Sequence, residues 1–294
     1  MPQFNERAPA KINLTLRVLG KRDDGYHEIE SLVAFASVGD AVTLDTDQRA
    51  GVDVTGPFGA VIEGDNIVAR TLTQLSEADP RLRLGRIKLE KRLPVASGIG
   101  GGSADAAAVL RAVRQANPDF ANLFDWGAMA ASLGADVRVC MESKLSWMTG
   151  KGDHVRVLTD PLPALTAVIA NPMAQVPRDK TAQVFHRLAA APLSPGARRT
   201  ALPDLGNALD SLDALIAHMR AAGNDLTAAA SAIMPDIAGV LSALSNQDGC
   251  RVARLSGAGP TCFGLFLSSA LAEAAAGRLR SKHPHWWIEP ISMK

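Results

Sequence analysis

One run constrains this chain more than any other: Pro94-Val95-Ala96-Ser97-Gly98-Ile99-Gly100-Gly101-Gly102-Ser103-Ala104. Before it, Arg86 to Lys91 alternates, with Ile87 and Leu89 on one face, and Pro94 stops that strand. After it, Ala106, Val109, Leu110 and Val113 fall at i, i+3, i+4 and i+7, the stripe of a helix that faces a core. The run therefore joins a strand to a helix N-terminus. Glycines let backbone N–H groups turn toward a ligand without Cβ clashes. The helix start adds unpaired donors and a partial positive charge. Together these suit a phosphate. Ser103 is the expected N-cap, and Asp105 suits the first turn. A tightly packed loop is the plain alternative. Four glycines within the five positions 98–102, placed between a strand and a helix, argue against it.

The common phosphate loops do not fit. A Walker A loop needs G-x-x-x-x-G-K-[ST], and neither Gly20-Lys21 nor Gly150-Lys151 has the upstream glycine. A dinucleotide fingerprint needs G-x-G-x-x-G, and from Gly98 its last position is Ser103. The H-R-D and D-F-G motifs of protein kinases are absent.

With 294 residues the chain is long enough for two modest domains. Its hydrophobic fraction of 47% supports a sizeable core. A formal net charge of +1 gives no reason to expect a nucleic-acid partner. The three cysteines, Cys140, Cys250 and Cys262, form neither a disulfide framework nor a C-x-x-C metal pair. With a polar N-terminus and no apolar run of about 18 residues, a membrane is not expected as a partner and the cytoplasm is the expected location.

Along the chain, Ile12 to Val18 alternates and predicts a strand, with Asn13 and Thr15 on its polar face and Lys11 at its start. Further strands are expected at 28–36, 41–44, 262–267 and 286–288. Helices are expected at about 67–75, 125–133 (closed by Gly134), 208–222 and 226–231. Trp147 and Met148 read as core, and Trp286 and Trp287 as the packing of a last strand. Ser256-Gly257-Ala258-Gly259-Pro260 is a second glycine loop. The proline-rich stretch 160–163 marks a domain boundary, giving domains 1–155 and 156–294. The mixture of elements without a βαβ rhythm points to an α+β fold.

Phosphoryl transfer to an alcohol needs a cation near the transferring group and a carboxylate to take the hydroxyl proton. Lys11 and Asp136 are of those types, though spacing alone does not pair them. Five motifs follow in order: Pro9-Ala10-Lys11-Ile12-Asn13-Leu14, Asp24-Gly25-Tyr26-His27, the glycine run, Leu133-Gly134-Ala135-Asp136-Val137, and Ser256-Gly257-Ala258-Gly259. In this order the chain closely resembles the GHMP kinase superfamily of small-molecule kinases. It resembles most the branch that phosphorylates the 2-hydroxyl of a methylerythritol carried on cytidine diphosphate, in the non-mevalonate route to isoprenoid precursors.

The resemblance implies a two-domain α+β fold with the active site in the interdomain cleft, ATP as co-substrate and Mg²⁺. It implies Asp136 as base with Lys11 beside it, residues Pro94 to Ala104 around the ATP phosphates, and Asn66 near the adenine. Ser103 is then the metal-side hydroxyl. For the cytidine-diphosphate-linked polyol it implies Asn13, Tyr26, His27, Thr181 and Phe185, with the base between Tyr26 and Phe185. Arg138 and Cys140 replace the branch's usual proline and aromatic, Asp153 its usual glutamate, and Ala96-Ser97 its extra glycine. The alternatives are another small-alcohol kinase of the superfamily and a binding protein of the same fold without catalysis. Tyr26-His27 argues against the first, and intact Lys11, Asp136 and Ser103 against the second.

Overall fold

The computed structural model describes residues 3–61, 66–159, 165–194, 205 and 208–293. The proline-rich stretch 160–163 lies outside them. In chain order the first elements are β1 (Gln3–Asn13), β2 (Arg17–Lys21), β3 (His27–Asp45), β4 (Gly51–Thr55), α1 (Ile67–Ala78) and β5 (Arg86–Glu90). Next come α2 (Gly101–Ala116), α3 (Trp126–Leu133), α4 (Ala135–Glu142), β6 (Ser146–Gly150), β7 (His154–Val157), β8 (Leu165–Asn171) and α5 (Lys180–Leu188). The last are α6 (Leu212–Ala222), α7 (Thr227–Ile233), α8 (Asp236–Ser245), β9 (Cys250–Leu255), β10 (Cys262–Phe266), α9 (Ser269–Lys282) and β11 (Trp287–Met293). Among the described residues no helix is long and apolar enough to cross a membrane.

The chain forms two compact units. One comprises residues 1–11, 38–95 and 100–143, and the other 12–37, 96–99 and 144–294. In the first, β5 pairs antiparallel with the 41–45 stretch of β3 and parallel with β4. Helix α2 is the spine of this unit. Its Val109, Leu110 and Val113 are fully buried, and each such side chain contributes about 1.5–3 kcal/mol. Asn66 caps α1 by accepting from Ala69 N at 2.8 Å, and Asp125 caps α3 by accepting from Ala128 N at 2.8 Å.

In the second unit β10 lies between β8 and β9, and β11 runs along the other edge of β8, all antiparallel. A further group pairs β2 and β6 with the start of β3, and β7 with β6. Helices α7, α8 and α9 pack apolar residues such as Ala230, Ile237, Leu244 and Leu279 against Val168, Leu255 and Phe266. Trp147 and Met148 are buried on β6, as expected.

The strand expected over 12–18 is not one strand. β1 ends at Asn13 and β2 begins at Arg17. The alternation misled because its polar positions are not solvated. Thr15 is 1% exposed, accepts from Leu32 N at 3.0 Å and receives a bond from Ser31 Oγ on its carbonyl. The strands expected at 28–36 and 41–44 are one, β3. Helix α6 starts at Leu212 rather than 208, where Ser211 Oγ accepts from Ala214 N at 3.1 Å. The last strand starts at Trp287, and Trp286 instead stacks on His283 at 3.8 Å.

Candidate active site

The glycine run enters α2 differently from its expected cap. Gly100, not Ser103, is the N-cap, with φ 66°. Glycine takes this left-handed backbone without a Cβ penalty, so the helix starts two residues before Ser103. Ser103 therefore sits inside the first turn, where its N–H is one of the unpaired donors. Asp105 is not a solvated first-turn charge. It is buried and paired with Lys91 at 2.7 Å, and Lys91 also binds buried Asp40. Burial works against the Lys91 charge, but Asp105 and Asp40 outweigh it and raise its pKa. For Asp105 burial wins over Lys91, with Asp40 adding repulsion, so its pKa rises. Nothing in the sequence pattern marked this trio.

Lys11 and Asp136 come together at the same helix start. Lys11 Nζ lies 2.7 Å from Asp136 Oδ1, with the lysine side chain 6% and the carboxylate 43% exposed. A Cβ added to Gly100 would sit 3.2 Å from Lys11 Cβ, so the lysine stem runs against the N-cap of α2. Asp136 stands in the first turn of α4, which Gly134 opens at φ 156°, a backbone that favours glycine. Arg138 and Cys140 lie within this helix, and the Cys140 carbonyl is held by Arg111 at 2.7 Å. Ile67, next to Asn66, reaches within 3.5 Å of a Cβ placed on Gly102. Asn66 thus stands beside the run, with its side-chain oxygen used by the α1 cap.

Residues 96–99 belong to the other unit and pack against the second glycine loop. Gly98, at φ 80°, lies so close to Gly259 that a side chain would strike its backbone. Thr261 N donates to Ser97 O at 3.1 Å, and Ser256 Oγ to Gly98 O at 3.4 Å. Ser256 Oγ also accepts from Asn13 N at 3.2 Å. Asn13 is buried, and its Nδ2 donates to Ser31 Oγ at 2.8 Å. Its Oδ1 is buried without a hydrogen-bond partner among the described residues.

Tyr26, His27, Thr181 and Phe185 share one cavity of about 510 Å³. Lys21, Lys151 and His186 also line it, and sequence reasoning did not single these out. The His27 and Phe185 rings stack at 4.8 Å and 26°. Tyr26 is 59% exposed, with Lys151 Nζ 4.9 Å from its ring centre. Burial, aided by Lys21, lowers the His27 pKa below its ordinary value. Among the described residues no group of three or more His, Cys, Asp or Glu is placed to hold a metal.

Two family models match the chain, GHMP kinases N terminal domain over residues 66–144 and GHMP kinases C terminal over residues 197–285. The 4-diphosphocytidyl-2-C-methyl-D-erythritol kinase of Parvibaculum lavamentivorans is 45% identical over 97% of this chain and 96% of its own length. The enzyme of the same name from Cereibacter sphaeroides is 46% identical over 97% of this chain and 98% of its own. Among solved structures, a 4-(cytidine 5'-diphospho)-2C-methyl-D-erythritol kinase superposes with a TM-score of 0.74 at 31% identity, covering 98% of each chain.

Proposed function

Since the chain belongs to the GHMP kinases, within the 4-diphosphocytidyl-2-C-methyl-D-erythritol kinase family, and is by that family an ATP-dependent small-molecule kinase, we propose that it phosphorylates the 2-hydroxyl of 4-diphosphocytidyl-2-C-methyl-D-erythritol, on the non-mevalonate route to isoprenoid precursors. The observation that carries this reading is the Lys11–Asp136 pair seated against the start of α2. ATP phosphates lie along residues 94–104, on the unpaired N–H groups of the α2 first turn and the glycine backbone. Asn66 lies toward the adenine.

Asp136 takes the proton of the attacking hydroxyl. Lys11 keeps that carboxylate in place and faces the charge that builds on the transferring group. The orphaned Asn13 Oδ1 supports a contact with a polyol hydroxyl, since a buried acceptor left without a donor is costly. The cytosine stacks between Tyr26 and Phe185, and His27, largely neutral near pH 7, offers one donor and one acceptor to its edge. Thr181, on the same cavity wall, adds a hydroxyl. Lys21 and Lys151 supply positive charge for the diphosphate.

Mg²⁺ fits this donor set. It is commonly held by substrate phosphates, waters and one or two protein oxygens, and the Ser103 hydroxyl in the α2 first turn is such an oxygen. When bound it neutralises charge on the phosphates. The free cysteines Cys140, Cys250 and Cys262 support a reducing compartment, the cytoplasm. An ADP-release assay with ATP and 4-diphosphocytidyl-2-C-methyl-D-erythritol tests the function. ADP formation dependent on the polyol is expected, and its absence would overturn the assignment.

A further inference from the structure

Lys180 is the first residue of α5 and is only 6% exposed. Its Nζ donates to Ala96 O at 3.1 Å and to Gly259 O. No carboxylate among the described residues pairs with it, and burial pushes its pKa down to about 8. A cation in a helix first turn also opposes the helix dipole. Such a placement is unfavourable on every electrostatic count except the two carbonyls. Ala96 is itself strained, a non-glycine residue at φ 54°.

The three carbonyls of residues 96–98 are each engaged. Lys180 holds the first, Thr261 N the second and Ser256 Oγ the third. The N–H groups of residues 96–99 have no backbone acceptor among the described residues. Over residues 96–98 the main-chain groups left open are therefore N–H donors, as an anion requires.

We propose that Lys180 is a positioning residue for the phosphate-binding run: its ammonium clamps the carbonyls of Ala96 and Gly259 and keeps Ala96 in the left-handed backbone that leaves the N–H groups of residues 96–99 to ATP. This rests on the reading of residues 94–104 as the ATP site. A glycine at 96 would hold the same backbone without help, so the proposal makes Lys180 dispensable once position 96 is glycine. A lysine that merely filled space would be missed equally in both backgrounds.

The test compares the full-length chain with Lys180→Met, Ala96→Gly and the double variant, varying ATP at saturating polyol. Losing a charge-assisted hydrogen bond should raise the KM for ATP about tenfold or more in Lys180→Met. Adding Ala96→Gly should recover about half or more of that loss on a logarithmic scale, the signature of coupled positions. An unchanged KM for ATP in Lys180→Met overturns the proposal, as does an equal loss in the single and double variants. If Lys180→Met does not fold, Lys180→Gln, which keeps a donor, takes its place in the same comparison. Gly101→Val separates the underlying reading. Weakened ATP use there with no effect at Lys180 sinks only the role of Lys180, whereas unaltered ATP use in Gly101→Val sinks the ATP site itself and this proposal with it.

Discussion

At the scale of single residues, the chemistry converges on a carboxylate open to solvent and a lysine that is not. Lys11 is fixed by its buried stem, while Asp136 presents its carboxylate 43% exposed. If Asp136 is the base, Asp136→Asn lowers turnover by about 10²–10⁴-fold and leaves the KM for ATP nearly unchanged, as steady-state kinetics would read. Lys180 gives a prediction of a different kind. Its pKa falls from an ordinary 10.5 to about 8 on folding. Between those values the unfolded chain binds more protons than the folded one, so stability rises with pH through that window. Below it the benefit is lost. Urea unfolding should show the native chain gaining up to about 3 kcal/mol on Lys180→Met between about pH 8 and pH 10.5. A constant difference across that range would contradict the depressed pKa. A buried ammonium kept at a net electrostatic disadvantage is the pattern of a residue retained for function at some expense of stability.

At the scale of elements, α5 lines the cavity proposed to take the substrate. Thr181 and Phe185 face the cavity, and the Phe185 ring stacks on His27. Phe185→Ala is expected to raise the KM for the polyol by about 10–100-fold, the effect of losing one base-stacking platform, with the KM for ATP unchanged. CDP should compete with the polyol and not with ATP. In the other unit, Lys91→Met would leave Asp40 and Asp105 facing each other in the interior, at 0% and 3% side-chain exposure. Breaking such a pair typically costs about 3–5 kcal/mol, which denaturant unfolding would register.

Elements were legible in the sequence where the reason for them is local. α1, α2 and α3 announce themselves by apolar spacing, and Asp125 and Asn66 cap as their side chains allow. The α2 start was placed late because a left-handed glycine caps without a side chain, and a rule that looks for Ser, Thr, Asp or Asn passes over it. The strand expected over 12–18 failed for the opposite reason. Asn13 and Thr15 looked outward by type, but both side chains are buried and each makes a hydrogen bond inside. Nothing in the sequence singled out the Lys180 clamp, because its partners are main-chain carbonyls 84 and 79 positions away, which carry no residue identity. Lys11 and Asp136 were paired only through resemblance, since their contact spans 125 positions.

At the scale of the whole molecule, a kinase fold of this length holds three thiols with unequal access. Cys140 and Cys262 are buried, and burial pushes the Cys140 pKa up to about 12 and raises that of Cys262 as well. Cys250 is half-buried, its thiol also raised by burial. A thiol reagent acts on the thiolate, so the two buried groups can answer only when the structure around them opens. The chain therefore carries its own clock. In native buffer a chromogenic disulfide should count no more than one thiol per molecule, and in denaturant three. The slow appearance of the second and third would time the opening of the helix that bears Asp136 and of the strand that follows the second glycine loop, with no label attached. Because Cys140 belongs to one compact unit and Cys262 to the other, mass spectrometry of the modified peptides would tell which lets go first.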